Sequence, residues 1–130
     1  GEAPDIYYAD NNNNGDFTKQ AETDKSVYQR GSSDMAWFYD PYSKGSDIWT
    51  DPFHWQSLNL DMVTYSKAIN QNGQHVGTVG IDIKFDEINS IIRSIKPYQT
   101  GSAFLLNEDL NFIVHSKFTK EDSIIKLGIE

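Results

Sequence analysis

The sequence predicts an α+β fold with a central antiparallel sheet flanked by helices. Strand-like runs over residues 62–71 and 74–84 flank Asn72-Gly73, a dipeptide typical of the tight turn in an antiparallel hairpin. A helical pattern begins directly after the second run, at Phe85. The chain lacks the regular alternation of strands and helices that a parallel sheet requires. These observations together favour an antiparallel sheet with helices packed against it.

The segment before the long hairpin is less regular. Asp5 to Ala9 is predicted to be a short strand, with a return strand at Asp16 to Thr18. Residues 19–33 are polar and weakly patterned, which indicates a loop or a poor helix. Met35 to Tyr42 is rich in aromatic side chains, and Pro41 predicts that any helix there is interrupted.

The segment after the hairpin is predicted to hold a helix, a second hairpin and a short final helix. Apolar side chains recur at helical spacing at Phe85, Ile88, Ile91, Ile92 and Ile95. Pro97 and Gly101 should end that helix. Ser102 to Leu106 and Phe112 to His115 form the second predicted hairpin, and Thr119 is a candidate cap for the last helix.

Composition excludes several classes of partner. A chain of 130 residues suits one domain, or one domain and a fragment of another. The net charge of −8 argues against nucleic acid and against an anionic membrane surface, since both would repel the chain. Cysteine is absent, which excludes disulfides and thiolate metal sites. No cofactor is predicted, and no stretch approaches the ~20 apolar residues of a membrane-spanning helix.

The strand over residues 74–84 carries the clearest functional signal, because successive side chains point to opposite faces. Aliphatic side chains occupy one face, which is predicted to be the core face: Val79, Ile81 and Ile83. The other face carries Thr78, Gly80 and Asp82. This second face is predicted to form the floor of a small pocket that contains a carboxylate.

Four segments resemble the double Cache sensor domain, the extracytoplasmic ligand-binding region of bacterial chemoreceptors, sensor histidine kinases and diguanylate cyclases. They are Trp37-Phe38, SDIWTDP at residues 46–52, GTVGIDI at 77–83 and TGSAFLL at 100–106. The resemblance implies two PAS-like lobes on a long leading helix. Residues 1–95 would then form most of the membrane-distal lobe and residues 96–130 the start of the proximal lobe, so that the chain is a fragment of a two-lobed sensor.

The resemblance also implies a function. The chain would be the extracytoplasmic small-molecule sensor of a receptor in the bacterial inner membrane, and not an enzyme. It would bind an amine- or amino-acid-type ligand and pass a conformational signal to an output module. The membrane would be reached only through segments outside this chain, and the full receptor would be a candidate homodimer.

Site residues follow from the same resemblance. In amino-acid-sensing members, an arginine two positions before a tryptophan binds the ligand carboxylate, and two downstream aspartates bind the ammonium group. Trp37, Asp51 and Asp82 match this pattern, but Met35 occupies the arginine position and offers no charged donor. The alternatives are that Asp82 is satisfied by backbone donors or Lys84, and that Asp51 is only a turn residue before proline.

Aromatic side chains are expected to surround the ligand ammonium group, because aromatic faces attract cations. Trp37, Tyr39 and Trp49 are the candidates, with Tyr65 as a further one. The two tryptophans could equally belong to the core. Two other functions remain open: a carbohydrate-binding module that stacks sugars on its three tryptophans, and a protein-interaction module without a ligand.

The segment from Asp10 to Asp16 matches the first half of a calcium-binding loop. Asp10, Asn12, Asn14 and Gly15 occupy its first, third, fifth and sixth places. The bidentate glutamate of the twelfth place is missing, because Ala21 stands there. A plain hairpin turn is therefore the preferred interpretation.

Overall fold

The predicted α+β class is confirmed by the computed structural model, which describes residues 5–12, 14–21, 24–56 and 58–128. Its strands are β1 (Tyr8–Ala9), β2 (Thr18–Lys19), β3 (Ile48–Trp49), β4 (Phe53–Trp55), β5 (Leu60–Gln71), β6 (Gln74–Lys84), β7 (Leu105–Leu106) and β8 (Phe112–Val114). Its α-helices are α1 (Ala36–Lys44), α2 (Phe85–Ser94) and α3 (Ile124–Leu127). Among the described residues, no helix has the length and apolar character needed to cross a bilayer.

Strand β5 is the centre of the main sheet. It pairs with β6 along one edge and with β3 and β4 along the other, and every pairing is antiparallel. The β5–β6 turn has positive φ angles at Asn72 (52°) and Gly73 (78°). A two-residue hairpin turn of the favoured type needs this geometry at both positions, so the Asn-Gly prediction is confirmed. The short β1–β2 and β7–β8 hairpins also form where they were predicted.

Much of the core lies on the face of the sheet that was predicted to be only a pocket floor, although Val63 on the opposite face is also buried. Helix α1 packs against this inner face, where Met62, Thr64 and Ser66 of β5 are buried. The prediction for the opposite face is wrong in part, since Val79 is 51% exposed and Ile81 is 64% exposed. Aliphatic alternation identified two distinct faces, but it could not tell which of them α1 covers.

Helix α1 forms despite Pro41, so the predicted interruption is also wrong. The helix runs from Ala36 to Lys44 with Pro41 buried inside it, and it ends at Gly45 in a left-handed conformation. Proline removes one backbone donor from the helix. Burial of Tyr39 and Pro41 itself against the sheet offsets that loss, because packing of the apolar face supplies most helical stability in proteins.

The C-terminal part packs around β8. Phe112 is 3% exposed, and its ring lies against Phe104, His115 and Phe118. Helix α3 is capped by the side chain of Ser123, which accepts a hydrogen bond from the Lys126 amide. The predicted cap at Thr119 is therefore wrong, and the Thr119 amide instead donates to the carboxylate of Asp122 in the preceding turn.

Candidate functional site

An open cavity of about 1140 Å³ lies between α1, the N-terminal segment and the inner face of the sheet. We call it the Asp82 cavity. Its lining includes three side chains of α1 and three residues of the sheet: Trp37, Phe38, Tyr39, Thr64, Gly80 and Asp82. The inward face of β6 thus forms the cavity floor, as the strand alternation predicted.

Asp82 is held by one hydrogen bond within this cavity. Thr64 lies directly opposite Asp82 in the β5–β6 register, and its Oγ1 donates to Asp82 Oδ1 at 2.6 Å. Neither Lys84 nor a backbone amide hydrogen-bonds this carboxylate among the described residues. Burial raises the pKa of Asp82 above its ordinary value, and the Thr64 hydrogen bond opposes that rise. The ionised carboxylate is therefore only partly satisfied by the protein.

Tyr7 brings a phenol close to Asp82, which sequence reasoning missed. Tyr7 lies just before β1 and lines the same cavity. Its pKa is raised by burial and by the negative charge of Asp82. The first strand of the chain is distant from Asp82 in sequence, so no spacing pattern could have indicated this neighbour.

Gly80 allows Thr64 and Trp37 to approach the floor of the cavity closely. A Cβ at this position would lie 3.1 Å from Thr64 Cγ2 and 3.6 Å from Trp37 Cε3. The Trp37 ring therefore stands directly over the part of the floor that has no side chain. Asp82 is the next inward-facing residue of β6, so the Trp37 ring lies on the same face of the sheet as its carboxylate. An aromatic ring and a carboxylate on one face suit the binding of a cationic group.

The aromatic rings of α1 continue away from the floor as a row. Trp37 and Phe38 meet edge to face with centroids 5.6 Å apart, and Phe38 and Tyr39 do so at 5.0 Å. At the end of the row, the guanidinium carbon of Arg30 lies 4.9 Å from the centre of the Tyr39 ring. Tyr39 is fixed by its hydroxyl, which donates to the Tyr28 carbonyl at 3.0 Å.

A second contact ties α1 to β6. Thr78 Oγ1 donates to the Phe38 carbonyl at 2.8 Å, and His75 Nε2 lies 3.2 Å from the same hydroxyl. The His75 ring stacks on Tyr42 with centroids 4.6 Å apart. All four residues line the cavity, so these contacts join α1 to β6 at one end of the cavity.

The structure brings three of the six predicted site residues to the cavity: Asp82, Trp37 and Tyr39. Trp49 and Tyr65 pair across β3 and β5 on the outer face, with ring centroids 5.2 Å apart. Trp49 is 58% exposed, and the Tyr65 hydroxyl donates to Asp47. The strand register explains why both residues lie outside the cavity. Tyr65 pairs with Ile81 of β6, whose side chain points to the outer face.

Asp51 also lies outside the cavity. Both oxygens of its carboxylate accept hydrogen bonds from the side-chain amide of Asn107, at 3.2 and 3.1 Å. Asn107 belongs to the turn between β7 and β8. Asp51 therefore links the C-terminal hairpin to the main sheet through these hydrogen bonds. We leave it out of the proposed site.

Residues 10–12 and 14–16 are held together by hydrogen bonds from their own backbone and side chains. The Asp10 carboxylate accepts hydrogen bonds from the amides of Asn14 and Gly15. Within the part of the chain that the structure describes, no group of three or more His, Asp or Glu side chains is arranged to hold a metal ion.

Comparison with known proteins identifies the family. A model of the first PDC sensor domain of methyl-accepting chemotaxis protein-like receptors matches residues 3–90. The chain belongs to this family. The sensor domain inferred from the four sequence segments is thereby confirmed, and the chain is a chemoreceptor-type sensor domain.

Individual relatives agree with this assignment. The chain is 30% identical over 108 residues to the methyl-accepting chemotaxis protein PctB of Pseudomonas aeruginosa, covering 76% of this chain and 17% of PctB. Its fold matches the ligand-binding domain of the Pseudomonas fluorescens chemoreceptor CtaA in complex with L-valine, with a TM-score of 0.61 and 23% identity. The extracellular domain of a histidine kinase, mmHK1S-Z3, matches with a TM-score of 0.60 and 18% identity.

The chain spans only part of each relative. The structural match covers 86% of this chain but 49% of the CtaA domain, and 90% of this chain but 41% of the kinase domain. The matched proteins are therefore longer sensors than the segment described here.

Proposed function

We propose that the Asp82 cavity binds an amine- or amino-acid-type ligand, with the ligand ammonium group on Asp82. The chain would act as the extracytoplasmic sensor of a bacterial membrane receptor and would catalyse no reaction. Residues 1–95 would be the ligand-binding lobe and residues 96–130 the start of a second lobe. The family match to residues 3–90 supports this division.

The observation that carries the proposal is the environment of Asp82. Asp82 is exposed to the open cavity, its pKa is raised by the burial that the cavity provides, and it receives a single hydrogen bond, from Thr64, among the described residues. A ligand that fills the cavity would remove this carboxylate from water, which is costly unless the ligand pairs with it. A ligand ammonium group would supply the missing charge and further donors. The Trp37 ring beside the floor adds a cation–π contact of about 0.5–2 kcal/mol. The complex of CtaA with L-valine is a relative's example of a ligand of this type.

Ligand binding would act by shifting a conformational equilibrium. Strand β6 carries Asp82 and continues directly into α2. Near the end of α2, Arg93 donates to the carbonyl of His115 at 3.2 Å, next to β8. A ligand that draws α1 and β6 together would therefore bias the position of α2 against the C-terminal hairpin.

Replacement of Asp82 tests the proposal directly. A thermal-shift screen of simple amines and the twenty L-amino acids should yield at least one compound that stabilises the wild-type chain, by ~2.7 kcal/mol at 100 times its dissociation constant. Asp82→Asn keeps an acceptor for Thr64 but removes the charge, so we expect this stabilisation to disappear.

Asp51→Asn is the matched control, because the same change is made at a carboxylate that faces Asn107. It should leave the ligand response intact. Equal responses of Asp82→Asn and wild type would refute the role of Asp82. A screen in which no compound raises the melting temperature would favour the interaction module without a ligand.

The carbohydrate-binding alternative fits the tryptophans less well. Trp37 and Trp55 line the cavity and are half-buried, whereas Trp49 lies on the outer face with most of its surface exposed. A sugar-stacking platform needs exposed rings that share one surface. Iodide quenching that reaches all three tryptophans equally would support the carbohydrate interpretation.

Asp82 should also give stability a distinct pH dependence. Its pKa is raised in the folded state, so the folded chain binds this proton more tightly than the unfolded chain. The stability that this tighter proton binding adds to the folded chain is fully present below the ordinary aspartate pKa of about 3.9. It is lost as the pH rises through the raised pKa of Asp82 in the folded chain. Asp82→Asn does not titrate and should therefore melt at a higher temperature than wild type near neutral pH. Melting curves across the acidic range should show this gap closing, and a gap that widens toward acid would contradict the prediction.

A further inference from the structure

Arg30 is the one arginine or lysine among the described residues that line the Asp82 cavity. Its guanidinium carbon lies 4.9 Å from the centre of the Tyr39 ring, and the residue is exposed to solvent. No ion pair joins Arg30 to a carboxylate within the described part of the chain. Asp24 lines the same cavity, but its carboxylate accepts a hydrogen bond from the amide of Ser26. The Arg30 donors thus remain available to an anion in the cavity.

The aromatic row separates Arg30 from Asp82. Trp37 contacts the floor at Gly80, whereas Tyr39 contacts Arg30. Successive residues of an α-helix are rotated by about 100°, so the side chains of Trp37 and Tyr39 leave α1 in nearly opposite directions. Phe38 stands between them, in edge-to-face contact with both. Asp82 and Arg30 therefore lie toward opposite ends of the row.

We propose that Arg30 binds the carboxylate of an extended zwitterion whose ammonium group lies on Asp82. This inference rests on the proposed function and narrows its ligand to ω-amino acids, in which several methylene groups separate the two charges. An α-amino acid carries both charges on one carbon and would reach only one end. The methylene chain would lie along the rings of Trp37 and Phe38, which supply an apolar surface between the two ends.

Met35 agrees with this displaced anion site. Met35 occupies the position at which amino-acid-sensing relatives are expected to carry arginine, but it is 1% exposed and does not line the cavity. A guanidinium group is therefore missing near the expected position and present five residues earlier, at Arg30. Because Arg30 reaches the cavity from another direction, the carboxylate it binds must also lie in another place.

Calorimetry with a homologous series tests the inference. The probes are glycine, 4-aminobutanoate, 5-aminopentanoate and 6-aminohexanoate, each of the longer acids compared with the n-alkylamine of the same carbon number. We expect at least one ω-amino acid to bind wild type ~10-fold or more tightly than its matched amine, since charge-assisted hydrogen bonds to a carboxylate are strong. Glycine should gain nothing from Arg30.

Arg30→Gln should remove the preference for the acid and leave the affinity for the amine unchanged. Lys120→Gln removes one positive charge at an exposed residue outside the cavity and should retain the preference. Arg30→Lys should retain part of it, because lysine offers a charge without the planar pair of donors.

The outcomes separate this inference from the proposed function. Amine binding that is lost in Asp82→Asn would support the proposed function. If the ω-amino acid and its matched amine then bind equally, or if the preference for the acid survives Arg30→Gln, only the role of Arg30 is overturned. Tighter binding of an α-amino acid than of every ω-amino acid would also overturn it. If no amine, α-amino acid or ω-amino acid binds, the proposed function and this inference both fail.

Discussion

Replacing Phe112 with alanine should cost about 3–5 kcal/mol of unfolding free energy, the usual range for truncating a buried phenylalanine. Phe112 is 3% exposed, and its ring centroid lies 4.9 Å from that of His115 and 5.0 Å from that of Phe118. Truncation would leave a cavity that the backbone of β8 cannot close. The loss is a large fraction of the 5–15 kcal/mol that stabilises a typical domain. Urea denaturation followed by circular dichroism measures it.

The neighbouring ring provides the control for this experiment. Phe104 contacts Phe112 at a centroid distance of 5.8 Å but is 48% exposed. Phe104→Ala should therefore cost clearly less than Phe112→Ala. If the two substitutions cost the same, Phe112 is not the centre of the C-terminal cluster. A loss below about 1 kcal/mol for Phe112→Ala would show that the cluster contributes little to stability.

The positions of the His115 and Phe118 rings explain why this cluster was not predicted from the sequence. His115 Nδ1 accepts hydrogen bonds from the amides of Lys117 and Phe118, which turns the chain back and stacks Phe118 on His115. The sequence predicted the strand pair, but no spacing in it indicated that His115 would organise the following turn. A side chain that organises the backbone two and three residues ahead leaves no periodic pattern.

The long hairpin and the floor of the cavity could be predicted because they depend on local rules. The Asn-Gly turn predicts the hairpin, and the two-residue period of a strand places Thr78, Gly80 and Asp82 on one face. The register shift between Ile69 and Asn70 was not predicted. Trp37 and Tyr39 reach the same cavity through the packing of α1 on the sheet, which the sequence did not predict, but the hairpin turn and the alternation along β6 are local. These relations extend over a few residues of a single element, which sequence patterns record well.

The remaining site residues depend on pairings between distant segments. Trp49 falls on the outer face only because β3 pairs with β5 in the register that sets it opposite Tyr65. Asp51 meets Asn107, which lies 56 residues away. Arg30 enters the cavity through an irregular segment whose path follows from the packing of Tyr28 and Tyr39. None of these relations has a spacing that one sequence could reveal.

Restoring arginine at position 35 should destabilise the chain strongly rather than create a better site. Met35 is 1% exposed, so Met35→Arg would place a guanidinium group in the core. An uncompensated buried charge costs about 3–5 kcal/mol, and the longer side chain would add steric strain. We expect a large fall in the urea midpoint, or a chain that does not fold.

Met35→Leu separates charge from shape in the same place. Leucine preserves the apolar character and nearly the volume, and such exchanges usually cost less than about 1.5 kcal/mol. A Met35→Arg chain that folds normally and binds α-amino acids more tightly than wild type would show that position 35 can open into the cavity. The carboxylate site would then belong near Met35, and the case for Arg30 would be lost. If Met35→Arg is destabilised and Met35→Leu is stable, the core around Met35 excludes charge. Arg30 is then the positively charged side chain available to a ligand in this cavity.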